Sequence, residues 1–259
     1  MSLNFNRHFF IPDTQCKPGL TYDHLTAAGN YIVDKKPEVI IHAGDHWDMH
    51  SLSIYDKGTK KAEGARYQDD IEAGLEGMEA LLKPIIAYNN KRKKYKEKQY
   101  KPRMVFTIGN HEERIMRHVN ANPELFGKCS YDDFELDRFG WEVHDFLSPV
   151  YIDGIAYAHY FYNPNTGRPY AGTVHTKINN LGYSFTMGHV QGKDIGTKYL
   201  TNGRVIRGAV AGSFYEHDEG YKGYQGNNHW RGCLYKTEVK DGDYCLVELS
   251  LDYLKRDWL

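Results

Sequence analysis

Several common signatures are missing from this 259-residue sequence, and each gap removes a class of protein. Its four cysteines, Cys16, Cys129, Cys233 and Cys245, are too few and too scattered for a disulfide framework, and no C-x-x-C pair points to zinc or redox chemistry. No apolar run approaches the roughly 20 residues that a bilayer-spanning helix needs, in keeping with a mean hydropathy of -0.67. Charge of one sign is not in excess either. With 33 Lys and Arg against 34 Asp and Glu, no global field favours a nucleic acid or a membrane surface. There is no G-x-S-x-G nucleophile elbow, no phosphate-binding G-x-x-x-x-G-K-[ST] and no G-x-G-x-x-G. Without internal repeats, low-complexity tracts or linkers, a single domain over 1–259 is expected. The opening MSLNFNRHFF lacks a long apolar segment and a small-residue cleavage site, and its Met-Ser-Leu start has the form of a cloning remnant. A cytoplasmic protein is expected.

What the chain does hold is histidine, 13 residues, and tyrosine, 21. Histidine in this number invites a search for metal ligands. The amino half reads as alternating strands and helices. Arg7 to Pro12 is a short strand delivering Asp13; Tyr22 to Lys36 has helical spacing, with Thr21 or Asp23 as cap; Glu38 to Ala43 is a β-branched strand delivering Gly44-Asp45-His46-Trp47-Asp48. Asp69 to Ile86 carries an apolar helical face, with Pro84 as a kink or early stop. The dense basic run Lys91 to Arg103 reads as a solvated connector or a phosphate contact. Met104 to Ile108 is a further strand, running into Gly109-Asn110-His111-Glu112 and then a helix from Glu113 to Val119. Beyond Gly140 short strands prevail. Ile155 to Ala158 delivers His159, Tyr183 to Met187 delivers Gly188-His189-Val190-Gln191, and Asp153-Gly154, Asn202-Gly203 and Asp241-Gly242 mark turns.

Five polar clusters therefore stand at predicted strand ends, in the order Asp13-Thr14-Gln15, Asp45 to Asp48, Asn110-His111-Glu112, His159 and His189 to Gln191. Loops at one sheet edge converge in space, and Asp, Asn, Gln and His gathered there offer oxygen and imidazole donors to divalent cations. A binuclear metal centre is the sharpest expectation. Taken singly, each strand-end Asp or Asn also serves as a turn or helix cap.

The ordered clusters resemble the calcineurin-like metallophosphoesterases, whose usual pattern is D-x-H, G-D-x-x-D, G-N-H-E, a lone His and G-H-x-H. Among them the chain is most similar to phage-associated members, which often carry D-T-Q first. The resemblance spans Asp13 to Gln191. It implies an α/β fold, a β-sandwich flanked by helices with the metal site at the strand ends. It also implies that Asp13, Gln15, Asp45 and Gln191 surround one metal, and that Asp45, Asn110, His159 and His189 hold a second. His111 stays unligated beside the substrate as general acid, while Asp48 and Glu112 orient ligands or His111. Asn110, His46 and His50 are expected to line the substrate cleft.

Two cations roughly 3.5 to 4 Å apart clamp phosphoryl oxygens and activate a bridging water. The implied activity is hydrolysis of phosphate esters by a metal-bridging hydroxide. Phosphodiesters, nucleic acid or nucleotide, are favoured because the basic run and the aromatic stretch Tyr215 to Trp230 suit them. A small phosphomonoester substrate and a non-catalytic binding module with a degenerate metal site are the alternatives. Gln15 and Gln191 stand where the family usually has His. Neutral amide oxygens favour harder ions, so Mn²⁺ or Mg²⁺ is expected ahead of Zn²⁺ or Fe. Arg114, Arg117 and His118 read as a solvated helix face; His8, His24, His42 and His144 read as structural.

Overall fold

The structure, a computed structural model, describes residues 6–220 and 222–259. The first half of the MSLNFNRHFF opening, residues 1–5, and Tyr221 of the aromatic stretch lie outside the described residues. The elements follow in order as β1 (Asn6–Ile11), α1 (Asp23–Lys35), β2 (Val39–His42), α2 (Tyr67–Lys94), β3 (Arg103–Thr107), α3 (Arg114–Ala121) and β4 (Glu142–His144). Then come β5 (Val150–Ile152), β6 (Ile155–Ala158), β7 (Tyr162–Asn163), β8 (Arg168–Pro169), α4 (Val174–Leu181), β9 (Ser184–Met187), β10 (Asp194–Tyr199) and β11 (Val205–Val210). The chain finishes with α5 (Gly223–Asn227), β12 (Gly232–Lys240), β13 (Asp243–Ser250) and α6 (Leu251–Trp258).

One sheet has the order β13-β12-β1-β2-β3-β4 and a second the order β10-β11-β9-β6-β5, with β7 and β8 as a separate ribbon. The central strands are buried on both faces, so their sequences are near-continuous apolar runs. Alternation still sorts them. Phe10, Ile41 and Val105 of the first sheet share a core with Ile155, Tyr157 and Ala209 of the second. Phe9, Ile40 and Phe106 face the other way, into the layer holding Leu25 and Ile32 of α1 and Met78 and Leu81 of α2. Outside the second sheet, Phe185 and Met187 meet Val174 and Ile178 of α4. This is a mixed α/β fold with sheets flanked by helices. Among the described residues no helix is long and apolar enough to cross a membrane.

Two local expectations are corrected. Helix α1 starts after Tyr22 with no side-chain cap, so neither Thr21 nor Asp23 caps it. Helix α2 runs 28 residues and continues past Pro84, which therefore does not stop it early. A proline there removes the N–H that would bond the carbonyl of Ala80. Thr26 of α1 donates its Oγ1 hydroxyl to that carbonyl instead, at 3.4 Å. Gly29 makes the approach close enough: a Cβ at Gly29 would lie 2.2 Å from Leu81 O and 2.9 Å from Pro84 Cγ.

The parallel run β1, β2, β3 and β4 carries its carboxyl ends to one edge, and β6, β9 and β11, also parallel, do the same in the second sheet. The edges meet where Asp13 bridges to Ser213. The basic run lies at the other end. Lys91 to Lys94 is the last turn of α2 and Arg103 opens β3, which rises about 13 Å before Thr107 reaches the polar edge.

Candidate metal centre and cleft

The loop after β2 is built around one carboxylate. Glu112 is fully buried; its Oε1 accepts from the N–H groups of His46 (2.7 Å) and Trp47 (3.1 Å), and its Oε2 from those of Asp45 (2.8 Å) and Gly109 (3.0 Å). Burial and the neighbouring Asp45 push this carboxyl up to about 7, against the four donors, which favour its charged form. Gly44 turns the strand into the loop at φ +83°, where a Cβ would lie 2.3 Å from Thr107 O. Asp45 itself is left-handed, at φ 47°. Its carbonyl accepts from the N–H groups of Thr14 (3.1 Å) and Gln15 (2.9 Å), which ties the first two clusters together.

Asp45 is buried with Oδ1 accepting from the His111 N–H at 2.9 Å. Its Oδ2 lies 3.4 Å from His159 Nε2 and 3.7 Å from His111 Nε2. Burial alone would raise the Asp45 carboxyl, but His111 and His159 outweigh it and hold the group well below the usual range. His159 donates Nδ1–H to Ala43 O (2.8 Å) and turns Nε2 to Asn110 Oδ1 (2.9 Å). Here too burial is outweighed, and Asp45 chiefly pushes the imidazole up to about 9. His189 goes the other way, down to about 4, through burial and then His159. Asp45, His159 and His189 each bring a donor atom within 4.8 Å of the others.

On the other side, Asp13 accepts the His189 N–H at Oδ1 (2.8 Å). Burial and then Asp45 push the Asp13 carboxyl up to about 6. Its Oδ2 is buried and accepts nothing, and the same is true of Gln15 Oε1 and Gln191 Oε1. Buried oxygens without a donor are costly. These three residues are, with Asp45, the ones that the family resemblance implies for the first metal. Asp45, His159 and His189 could together hold a divalent cation; the resemblance adds Asn110 to that set and gives Asp13, Gln15 and Gln191, with Asp45, to a second ion, a role that their unpartnered oxygens suit.

His111 sits beside this set without belonging to it. Its Nδ1 lies 2.9 Å from Asp48 O and 3.1 Å from Asp48 Oδ1, while Arg114 donates to Nε2 at 3.1 Å. That network puts the proton on Nδ1. Burial lowers the proton affinity of His111, and Asp45 and Asp48 more than restore it, raising the group above its ordinary value. Asp48 is held down to about 2: burial would raise it, but the bond to His111 prevails. Its Oδ2 lies 3.7 Å from Lys17 Nζ, which in turn bonds Glu219 Oε1 at 2.6 Å. His217 contacts the same Oε1 at 2.9 Å, so the Tyr215 to Trp230 segment is tied into the site.

The expected cleft residues divide. Asn110 and His50 line it, His50 paired with Asp56 at 3.5 Å. His46 does not. It is fully buried, with Nδ1 on Thr14 Oγ1 (2.7 Å) and Nε2 on Gly74 O (2.9 Å), and burial lowers it to about 4. It braces the loop from behind. Arg114, expected on a solvated face, is half-buried and donates to Asp48 O (2.7 Å) and Met49 O (3.2 Å) as well as to His111. Its spacing, three residues after His111, was the available signal, because the turn that leads into α3 bonds the Arg114 N–H to His111 O and so brings the two together. Lys17 and Glu219 gave no such signal. In the aromatic stretch, Tyr215 is buried and stacked on His217, so it offers no free ring, whereas Tyr224 is 90% exposed. His8, His24 and His42 are buried, and His144 bonds Glu142.

No protein-family model matches the chain, and a search of curated proteins finds no match.

Proposed function

We propose that this protein is a metal-dependent phosphoesterase that prefers phosphodiesters to monoesters. The observation that carries the reading is the trio of buried, unpartnered oxygens of Asp13, Gln15 and Gln191 next to the Asp45, His159 and His189 cluster. Asp45, His159 and His189 bring donor atoms within 4.8 Å of one another, and the His111 ring stands beside them, its Nε2 3.7 Å from Asp45 Oδ2. Divalent cations bound there supply Lewis-acid polarisation of phosphoryl oxygens and acidify water. Two neutral amides in the set favour Mn²⁺ or Mg²⁺.

The chain's own residues do the rest. Asp48 holds the His111 ring by its Nδ1–H, which leaves Nε2 as the nitrogen that takes up a proton and passes it to the departing oxygen. Arg114 steadies that ring and presents a guanidinium to the cleft, a geometry suited to phosphate oxygens. The preference for diesters rests on space. Cavities of about 440 and 560 Å³ share Asn110, Arg114 and His50, so a phosphate seated there has room for a substituent on either side. The basic run, at the far end of the sheet, lends no support.

Hydrolysis of chromogenic mono- and diesters by metal-stripped protein, with Mn²⁺, Mg²⁺ or Zn²⁺ added back, tests the proposal. Turnover that needs metal, falls in Asp45→Asn and His111→Ala, and is faster on the diester is expected. No turnover with any metal in folded protein overturns it in favour of a binding module.

A further inference from the structure

The two cavities that flank the phosphate seat are opposite in charge. One is lined by Asp48, Asp56, Asp218 and Glu219, four carboxylates against the two cations Lys17 and Arg114. The other is lined by Lys57, Arg114, Arg117 and His118 and, among the described residues, by no carboxylate. Arg114, Arg117 and His118 occupy i, i+3 and i+4 of α3, which places them on one face. Apolar and aromatic side chains edge that lobe: Ile54 is 75% exposed, Tyr55 is 85% exposed, and Tyr160 packs at its floor against His189. Cations beside exposed rings suit a group that is both aromatic and anionic. His111 lines only the acidic lobe.

Resting on the phosphoesterase reading, we infer that the cleft is charge-polarised and takes an asymmetric diester in one direction, a nucleotide bearing a further phosphate in the Arg117 lobe and an uncharged alcohol in the Asp218 lobe. The alcohol lies on the His111 side, so it is the group that leaves. Water adds its oxygen to phosphorus, the bond from phosphorus to the alcohol oxygen breaks with its electron pair, and that oxygen takes a proton. The products are the free alcohol and the nucleotide monoester, with water's second proton released to solvent. Four carboxylates oppose any leaving group that carries its own phosphate.

The probes are thymidine 5′-(4-nitrophenyl phosphate) with and without a 3′-phosphate, assayed with Mn²⁺, together with calorimetric binding of thymidine 3′,5′-bisphosphate and thymidine 5′-monophosphate. The 3′-phosphate is expected to raise kcat/KM about tenfold, with thymidine 3′,5′-bisphosphate as product. Arg117→Glu and Lys57→Glu, both at exposed positions, remove that gain and the matching difference in binding. Equal turnover of the two esters by the unmodified protein overturns the polarity and leaves the phosphoesterase reading intact. Absent turnover with a binding difference that Arg117→Glu erases overturns the phosphoesterase reading and sustains the polarity. Neither turnover nor a binding difference overturns both.

Discussion

His159 is fixed by the carbonyl of Ala43, which takes its Nδ1–H at 2.8 Å and leaves Nε2 facing Asp45 Oδ2 at 3.4 Å. A histidine anchored through one nitrogen to a backbone carbonyl presents the other as a ligand in a set orientation. Binding to the folded state alone stabilises it by mass action. Mn²⁺ at a hundredfold excess over its Kd should therefore add about 2.7 kcal/mol to stability. Thermal melts with and without metal measure this, and a Tm that does not move would show the donor set to be idle. Asp45→Asn should erase the shift.

Glu112 holds four backbone N–H groups with one carboxylate. In Glu112→Gln one of those oxygens becomes an NH₂ that cannot accept from the N–H groups it would face. A loss of about 2 to 4 kcal/mol is expected from stranding buried donors. Urea denaturation at neutral pH reads it, and a change under 1 kcal/mol would mean the loop holds without the carboxylate.

Gly29 and Pro84 define the closest approach of α1 and α2. Alanine raises helix propensity by about 1 kcal/mol. Here its methyl group would overlap Leu81 O, and overpacking typically costs about 1 to 3 kcal/mol. Gly29→Ala should lower the urea midpoint despite the better propensity. A raised midpoint would show that the helices separate freely.

Away from the cleft, His24 is buried against Phe214, with ring centroids 5.1 Å apart, and burial lowers it to about 3. Its folded value lies below the unfolded value near 6.5, so the unfolded chain binds the extra proton. The stability it contributes is fully present above pH 6.5 and is lost as pH falls toward about 3. Relative to His24→Leu, wild type should weaken by up to about 1.4 kcal/mol per pH unit across that window. Parallel pH profiles of the two proteins would refute this.

Strand ends were legible in the sequence because β-branched runs stop at Gly44, Gly109 and Gly188, and the ligand candidates follow directly. Pro84 misled because the group that satisfies Ala80 O belongs to Thr26, on another helix 54 residues away. His46 and Asn110 look alike as polar loop residues, yet His46 turns to Gly74 O inside the protein and Asn110 to His159. The basic run suggested a phosphate contact, but only the direction of β3 reveals that it lies at the wrong end. Local pattern sets the elements; which end of a strand faces the chemistry is a property of the assembled sheet.

The candidate ligands straddle a seam. Asp13, Asp45 and Asn110 follow strands of the first sheet, and His159, His189 and Gln191 follow strands of the second. An ion held between them would act as a rivet, and the two packed sheets as the spring that sets its grip. Ion radius then becomes a mechanical load: a cation of the wrong size must either slide one sheet against Tyr157 and Phe10 in the shared core or sit with an incomplete shell.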